Sequence, residues 1–188
     1  MDPSHLTRWL TSRLMTRISG SAAVAARHRK AEQARIKAAA PHRVDYFHQV
    51  DEGYSYLAAQ MLERLVSRYD IELHCHLVRG QEGRNAPEPG LLAQLGRVDS
   101  HLIAPDYGLN FPNHPGAPAA GLIEAAAQIL SAQSNSHFPK VAVSVSEALW
   151  RDDVVRLADL AAEFSSASPE ATTAAIEAGT QKRRELKH

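Results

Sequence analysis

The segment VDYFHQVDEGYSYLAAQMLERLVSRYDIELHCHLV, Val44 to Val78, decides the fold. Its first part alternates Val44, Tyr46, His48 and Val50 with Asp45, Phe47 and Gln49, and its aromatic and branched side chains suit a pleated surface, so His42 to Val50 reads as a strand. After Asp51, Glu52 and Gly53 the period changes. Tyr54, Leu57, Ala58, Met61, Leu62, Leu65, Val66 and Tyr69 recur at i, i+3, i+4 and i+7, which predicts an amphipathic helix. Asp70 closes it, and Ile71 to Val78 reads as a second strand with Ile71, Leu73, Cys75 and Leu77 on one face. Strand, helix and strand make a βαβ unit, whose strands are parallel and whose crossover is right-handed. The fold class is therefore α/β.

The short turn from the first strand into the helix is the natural place for chemistry. It aims the first free N–H groups of the helix at one spot beside the sheet, where the helix dipole favours negative charge. Asp51 and Glu52 already stand there. They read either as a general acid/base pair aimed at a small substrate or as an acidic N-terminal cap, a commoner role worth about 0.5–2 kcal/mol. Ser55, between Tyr54 and Tyr56, has a hydroxyl to offer a ligand, while Tyr54 reads as the first core position of the helix.

Outward from this unit the chain divides into three by pattern: a basic helical segment over residues 1–40, the βαβ unit over 41–80, and a largely helical region over 81–188. In the first, Arg8, Arg13, Arg17, Arg27, Arg29, Lys30, Arg35 and Lys37 face only Asp2 and Glu32, with an interruption expected at Gly20 and Ser21. Leu6, Trp9, Leu10, Leu14 and Ile18 form an apolar stripe expected to dock on the core or on a partner. The composition resembles that of an organelle transit peptide, but the basic pattern runs on to Lys37 with no processing site, so an amphipathic helix is preferred. After the polar loop RGQEGRNAPEPG, helices are expected over Pro89–Ile103, Ala117–Ser134, Trp150–Phe164 and Pro169–Leu186, the last with Ser168 as N-cap and proline at its first position. FPKVAVSVSEALW, residues 138–150, fits both a strand and a helical face and is assigned to helix.

Composition narrows the function classes. The 21 basic and 21 acidic residues cancel, which gives the whole chain no bulk preference for nucleic acid or membrane. No window approaches the ~18–20 apolar residues of a membrane span, and the N-terminus lacks the apolar core of a secretory signal. The single cysteine, Cys75, excludes an internal disulfide, a CxxC pair and a cysteine-built zinc site, and points to a reducing, cytoplasmic compartment. Cys75 reads as a small buried hydrophobe. His74 and His76 share the opposite face of their strand, with His48 on the neighbouring one, but no carboxylate spacing accompanies them and no metal is assigned.

The run DYFHQVDEGYSYLAAQMLERLVSRYDIELHCHLV, together with YGLNFP and EALWRDD in the helical region, resembles the DsbA-like branch of the thioredoxin superfamily. That branch includes 2-hydroxychromene-2-carboxylate isomerases and kappa-class glutathione transferases. The likeness spans about Val44 to Phe164. It implies a thioredoxin-like fold with a large helical insertion after the second strand, preceded here by a helical appendage. It also implies an oxidoreductase or isomerase type of activity, with glutathione as the cofactor. In such proteins the turn before the first helix carries a CxxC pair or a Ser-Pro-x-Ser variant. Aligning YSYLA puts Glu52 at the leading cysteine or serine, Gly53 at the proline and Ser55 at the second serine. Glu52 and Ser55 are then the catalytic candidates, and Asp51, Gly53, Tyr54, Tyr107, Asn110 and Phe111 the candidates for holding a substrate between insertion and core. The family fold also ends in further strands that are not visible here, so either this chain is part of a longer one or another chain, a second copy included, completes its sheet. The competing expectation is a non-catalytic binding or assembly module on the same fold.

Overall fold

The computed structural model describes residues 5–80, 86–113 and 116–186 of the chain, and within these the side chains of His5, Leu6, Leu10 and Arg17 to Ser19 lie outside the described residues. The chain separates into two compact units, Met1–His42 and Arg43–His188.

The first unit contains α1 (His5–Ser19) and α2 (Ser21–Lys37), broken at Gly20, whose extended backbone serves as the N-cap of α2. Of the expected apolar stripe, Leu6, Leu10 and Ile18 fall outside the described side chains, while Trp9 and Leu14 are exposed. Arg35 forms a two-pronged ion pair with Glu32 and donates to the Ala40 carbonyl, tying down the C-terminal end of α2.

The second unit is built on β1 (His42–His48), α3 (Gly53–Arg68) and β2 (Ile71–Leu77). The Val78 N–H donates to the His48 carbonyl at 2.9 Å, so the two strands end side by side and run parallel, as the crossover requires. Then follow α4 (Pro89–Ile103), a 3-10 turn (Ala104–Tyr107), α5 (Ala120–Ser131), α6 (Phe138–Trp150), α7 (Val154–Glu163) and α8 (Pro169–Glu185). Several expected boundaries shift. β1 ends at His48, two residues before Val50, and α5 runs Ala120–Ser131 within the expected Ala117–Ser134, with the extended Ala119 as its N-cap. Trp150 ends α6 rather than opening α7, because Asp152 takes a left-handed turn (φ 57°) and Asp153 caps α7 by accepting the Arg156 N–H.

α6 explains why residues 138–150 read two ways. The helix packs against α3, α5 and α7, and Phe138, Val141, Ala142, Val145, Ala148, Leu149 and Trp150 are all buried. A helix surrounded on several sides is apolar around most of its girth, and that blurs the helical period. Its core continues through Ile129, Leu130 and Leu160 to Val50, Ala59 and Leu77 of the βαβ unit, so strands and helices share one interior.

α3 differs from its expected face. Leu57 and Leu62 are buried, but so are Ser55, Tyr56 and Ala59, while Tyr54, Met61, Val66 and Tyr69 are exposed. The small residues Ser55 and Ala59, four apart, turn inward on the side where Tyr54 was expected. Tyr56 takes the core position instead.

The outer edge of β2 is sealed. Asn135 accepts the Cys75 N–H, Thr180 accepts the Arg79 N–H, and Arg183 donates to the Arg79 carbonyl. At Gly179 an added Cβ would run into the Leu77 carbonyl oxygen, so α8 crosses the strand in backbone contact that only glycine permits.

Candidate functional site

The turn between β1 and α3 is organised by one carboxylate. Glu52, in extended conformation, is the N-cap of α3. Its Oε1 accepts the Tyr54 N–H at 3.0 Å, and its Oε2 accepts the Ser55 N–H at 2.6 Å and the Ser55 hydroxyl at 3.0 Å. Both oxygens are thus turned onto the free N–H groups that the fold presents. The Ser55 hydroxyl is buried and also accepts the Gln49 N–H at 3.2 Å, which leaves it no proton to give elsewhere. Asp51 takes no part in this constellation: it is exposed and accepts from the Gln49 side chain at 3.0 Å. Asp51 and Glu52 thus engage different partners.

Gly53 has a steric reason. A Cβ there would lie 2.5 Å from the Ser100 hydroxyl oxygen, 2.9 Å from Ser100 Cβ and 3.1 Å from the Phe111 ring, so α4 and the loop after it close directly over the turn. Phe111 is also 5.7 Å from the Tyr56 ring and 5.2 Å from Trp150. Gln60 holds the Asn110 backbone from both sides, donating to its carbonyl at 2.8 Å and accepting its N–H at 2.9 Å. Phe111 thus packs beside Gly53, Asn110 is bound to Gln60 farther along α3, and Tyr107 ends the 3-10 turn with 66% of its surface exposed. Tyr54, exposed rather than in the core, donates its hydroxyl to Asp99, and that carboxylate pushes the phenol up to about 12.

Beneath the turn lies a second polar group. Tyr46 donates its hydroxyl to the Ser55 carbonyl at 2.7 Å, and the same oxygen is 2.8 Å from His48 Nδ1. With the tyrosine proton committed to Ser55, the network assigns the imidazole proton to Nδ1. His48 is fully buried and its Nε2 has no hydrogen-bond partner among the described residues; burial lowers its pKa to about 4, so it is neutral. The other two histidines go elsewhere, His74 to Glu72 at 2.7 Å and His76 to Asp45 at 2.8 Å.

No cysteine stands in the turn itself. Cys75 sits on β2, half-buried against the core, with its thiol pushed up to about 12 by burial. Two cavities, one between β2 and α8 and one between α3 and the loop before α6, also lie away from it. Ser100 and Asp99 escaped the sequence reading because each meets the turn from a distant helix, Asp99 45 residues from its partner Tyr54, and Gln60 because its partner Asn110 is 50 residues away. Gln60, a polar residue inside an apolar helical run, is the only one with a local signal.

These features define an α/β protein in which a carboxylate caps the helix that joins two adjacent strands. One solved structure, "Crystal structure of a putative protein disulfide isomerase from Nitrosomonas europaea", superimposes with a TM-score of 0.52 at 17% identity, over 78% of this chain and 79% of that one. The likeness supports a thioredoxin-like, DsbA-like fold carrying additional helices. No protein-family model matches the sequence, and no curated protein matches it. Among the described residues no helix is long and apolar enough to cross a membrane.

Proposed function

We propose that this chain is a DsbA-like protein of the oxidoreductase and isomerase type that binds or transforms a small molecule without exchanging disulfides, with glutathione as the first ligand to test. The observation that carries this reading is Glu52, which stands at the thioredoxin-like turn with the Ser55 hydroxyl 3.0 Å from its Oε2. A carboxylate there neutralises the helix terminus and repels an incoming thiolate, so a cysteine-type exchange has neither a nucleophile nor a welcome for one. In the enzymatic form of this reading Glu52 moves a proton and Ser55 orients the ligand, with Gly53, Tyr54, Asn110 and Phe111 around them. The Gln49 N–H and Glu52 would have to release Ser55 first.

A second reading, a non-catalytic binding or assembly module, draws on the same geometry: the cap is fully engaged and Ser100 and Phe111 cover Gly53. In it, β1, which pairs only with β2 among the described residues, is where a strand from another chain or a second copy would complete the sheet.

Glutathione titration followed by backbone NMR separates the two. Saturable shifts of the Glu52 to Tyr54 amides support the first reading, and in that case Glu52→Gln abolishes turnover of any substrate found. A folded protein whose turn amides stay unmoved at millimolar glutathione supports the second.

A further inference from the structure

The cavity between β2 and α8 is unlike the covered turn. It is about 340 Å³, within the range of small-molecule sites. Its walls are mixed: Leu130, Phe138, Ala175 and Ala178 supply apolar surface, and Ser131 and Gln133 supply uncharged polar groups. The backbone contact at Gly179 fixes the spacing between α8 and the strand, so the opening is set by packing and not by a loop.

Its polar groups are unequal. Arg43 at the rim is already neutralised, with both its Nε and Nη2 on the Asp45 carboxylate and the closest approach 2.7 Å. His76 is held by the same carboxylate at 2.8 Å. That carboxyl is lowered to about 2, chiefly by the Arg43 hydrogen bond, so Asp45 stays charged and spends itself on these two neighbours. Lys182, by contrast, lines the cavity half-buried and makes no ion pair with any described residue. A lysine that lines a partly apolar cavity and has no ion pair of its own favours an anion that brings an apolar body. A neutral ligand would cover the ammonium without compensating its lost water, and a cation would be repelled.

We propose that this cavity binds a small monocarboxylate with a short apolar body, its carboxylate on Lys182 and its chain against Leu130 and Phe138. The site is separate from the β1–α3 turn and stands or falls independently of it. Cys75 lines the same cavity and is the only thiol of the chain, so it reports on occupancy.

The test uses octanoate on the full chain, read by calorimetry and by the rate at which a thiol reagent modifies Cys75. The expected result is saturable binding that slows modification severalfold, with octanol and octylammonium giving neither effect. Lys182→Met should weaken octanoate at least tenfold, and Ala178→Phe should abolish protection by filling the space. Lys182→Arg should retain binding, which guards against a variant that merely misfolds. No octanoate binding at millimolar concentration overturns the proposal, as does binding that leaves Cys75 unprotected or that Lys182→Met does not weaken.

Discussion

Glu52 Oε2 lies 2.6 Å from the amide nitrogen of Ser55, close enough for a charge-assisted hydrogen bond at the helix N-terminus. The bond uses the carboxylate as a cap, and the consequences are open to measurement.

Glu52→Ala should lower stability by about 0.5–2 kcal/mol, the usual cost of losing an N-cap side chain. It removes acceptors from two backbone N–H groups and a partner from the buried Ser55 hydroxyl. Urea unfolding measures the change; equal midpoints for the two proteins would mean that the carboxylate is not holding the helix.

At Gly53 two effects oppose each other. Helix propensity alone would make Gly53→Ala stabilising by about 1 kcal/mol. The 2.5 and 2.9 Å approaches to Ser100 predict the opposite sign, a loss of about 1–3 kcal/mol from overpacking. Adding Ser100→Gly should recover part of the loss, and a double-mutant cycle by denaturant unfolding gives the coupling. A stabilised Gly53→Ala would contradict the closure of α4 over the turn.

His48 should make the protein acid-sensitive. Its folded pKa is lowered to about 4 by burial, while unfolded histidine titrates near 6.5. Above about pH 6.5 both states are neutral and the group contributes no pH dependence. Between about 6.5 and 4 the unfolded chain binds the proton and the folded one does not, so stability falls with falling pH by up to about 1.4 kcal/mol per unit. His48→Leu should remove that component of the slope, seen as a wild-type-minus-variant difference that varies over this window and is flat above it.

Cys75 should behave as an inert thiol. With its pKa pushed up to about 12, the thiolate population at neutral pH is far below that of a free cysteine. Modification by a disulfide reagent in the native state should be at least tenfold slower than in urea, and Cys75→Ser should leave any glutathione binding at the turn unchanged. Fast native modification would show that the strand opens or that the thiol is not shielded.

Much of the βαβ unit was readable in Val44 to Val78 because its signals are local. Period-two alternation, helical period and a three-residue connection each act within a few residues, and the chain has no alternative way to satisfy them. The helix over residues 138–150 was harder, since burial on several sides removes the polar stripe that normally marks a helix. The boundary at Trp150 failed because one residue, Asp152, adopts a left-handed turn that its neighbours do not announce.

The site divides in the same way. Sequence alone put Glu52 at the N-terminus of α3; it also expected Tyr54 in the core, a place that belongs to Tyr56. Which side of a helix is buried depends on how many elements surround it, and α3 meets α4, α6 and β2 at once. Sequence determined that a strand, a capped helix and a strand would form, and that no cysteine stands at their turn. Only the tertiary structure decided that Ser100 and Phe111 close over that turn, that Gly179 brings α8 onto β2, and that Lys182 is left facing a cavity without a counter-charge. Those outcomes rest on contacts between residues far apart in the chain, which no local pattern encodes.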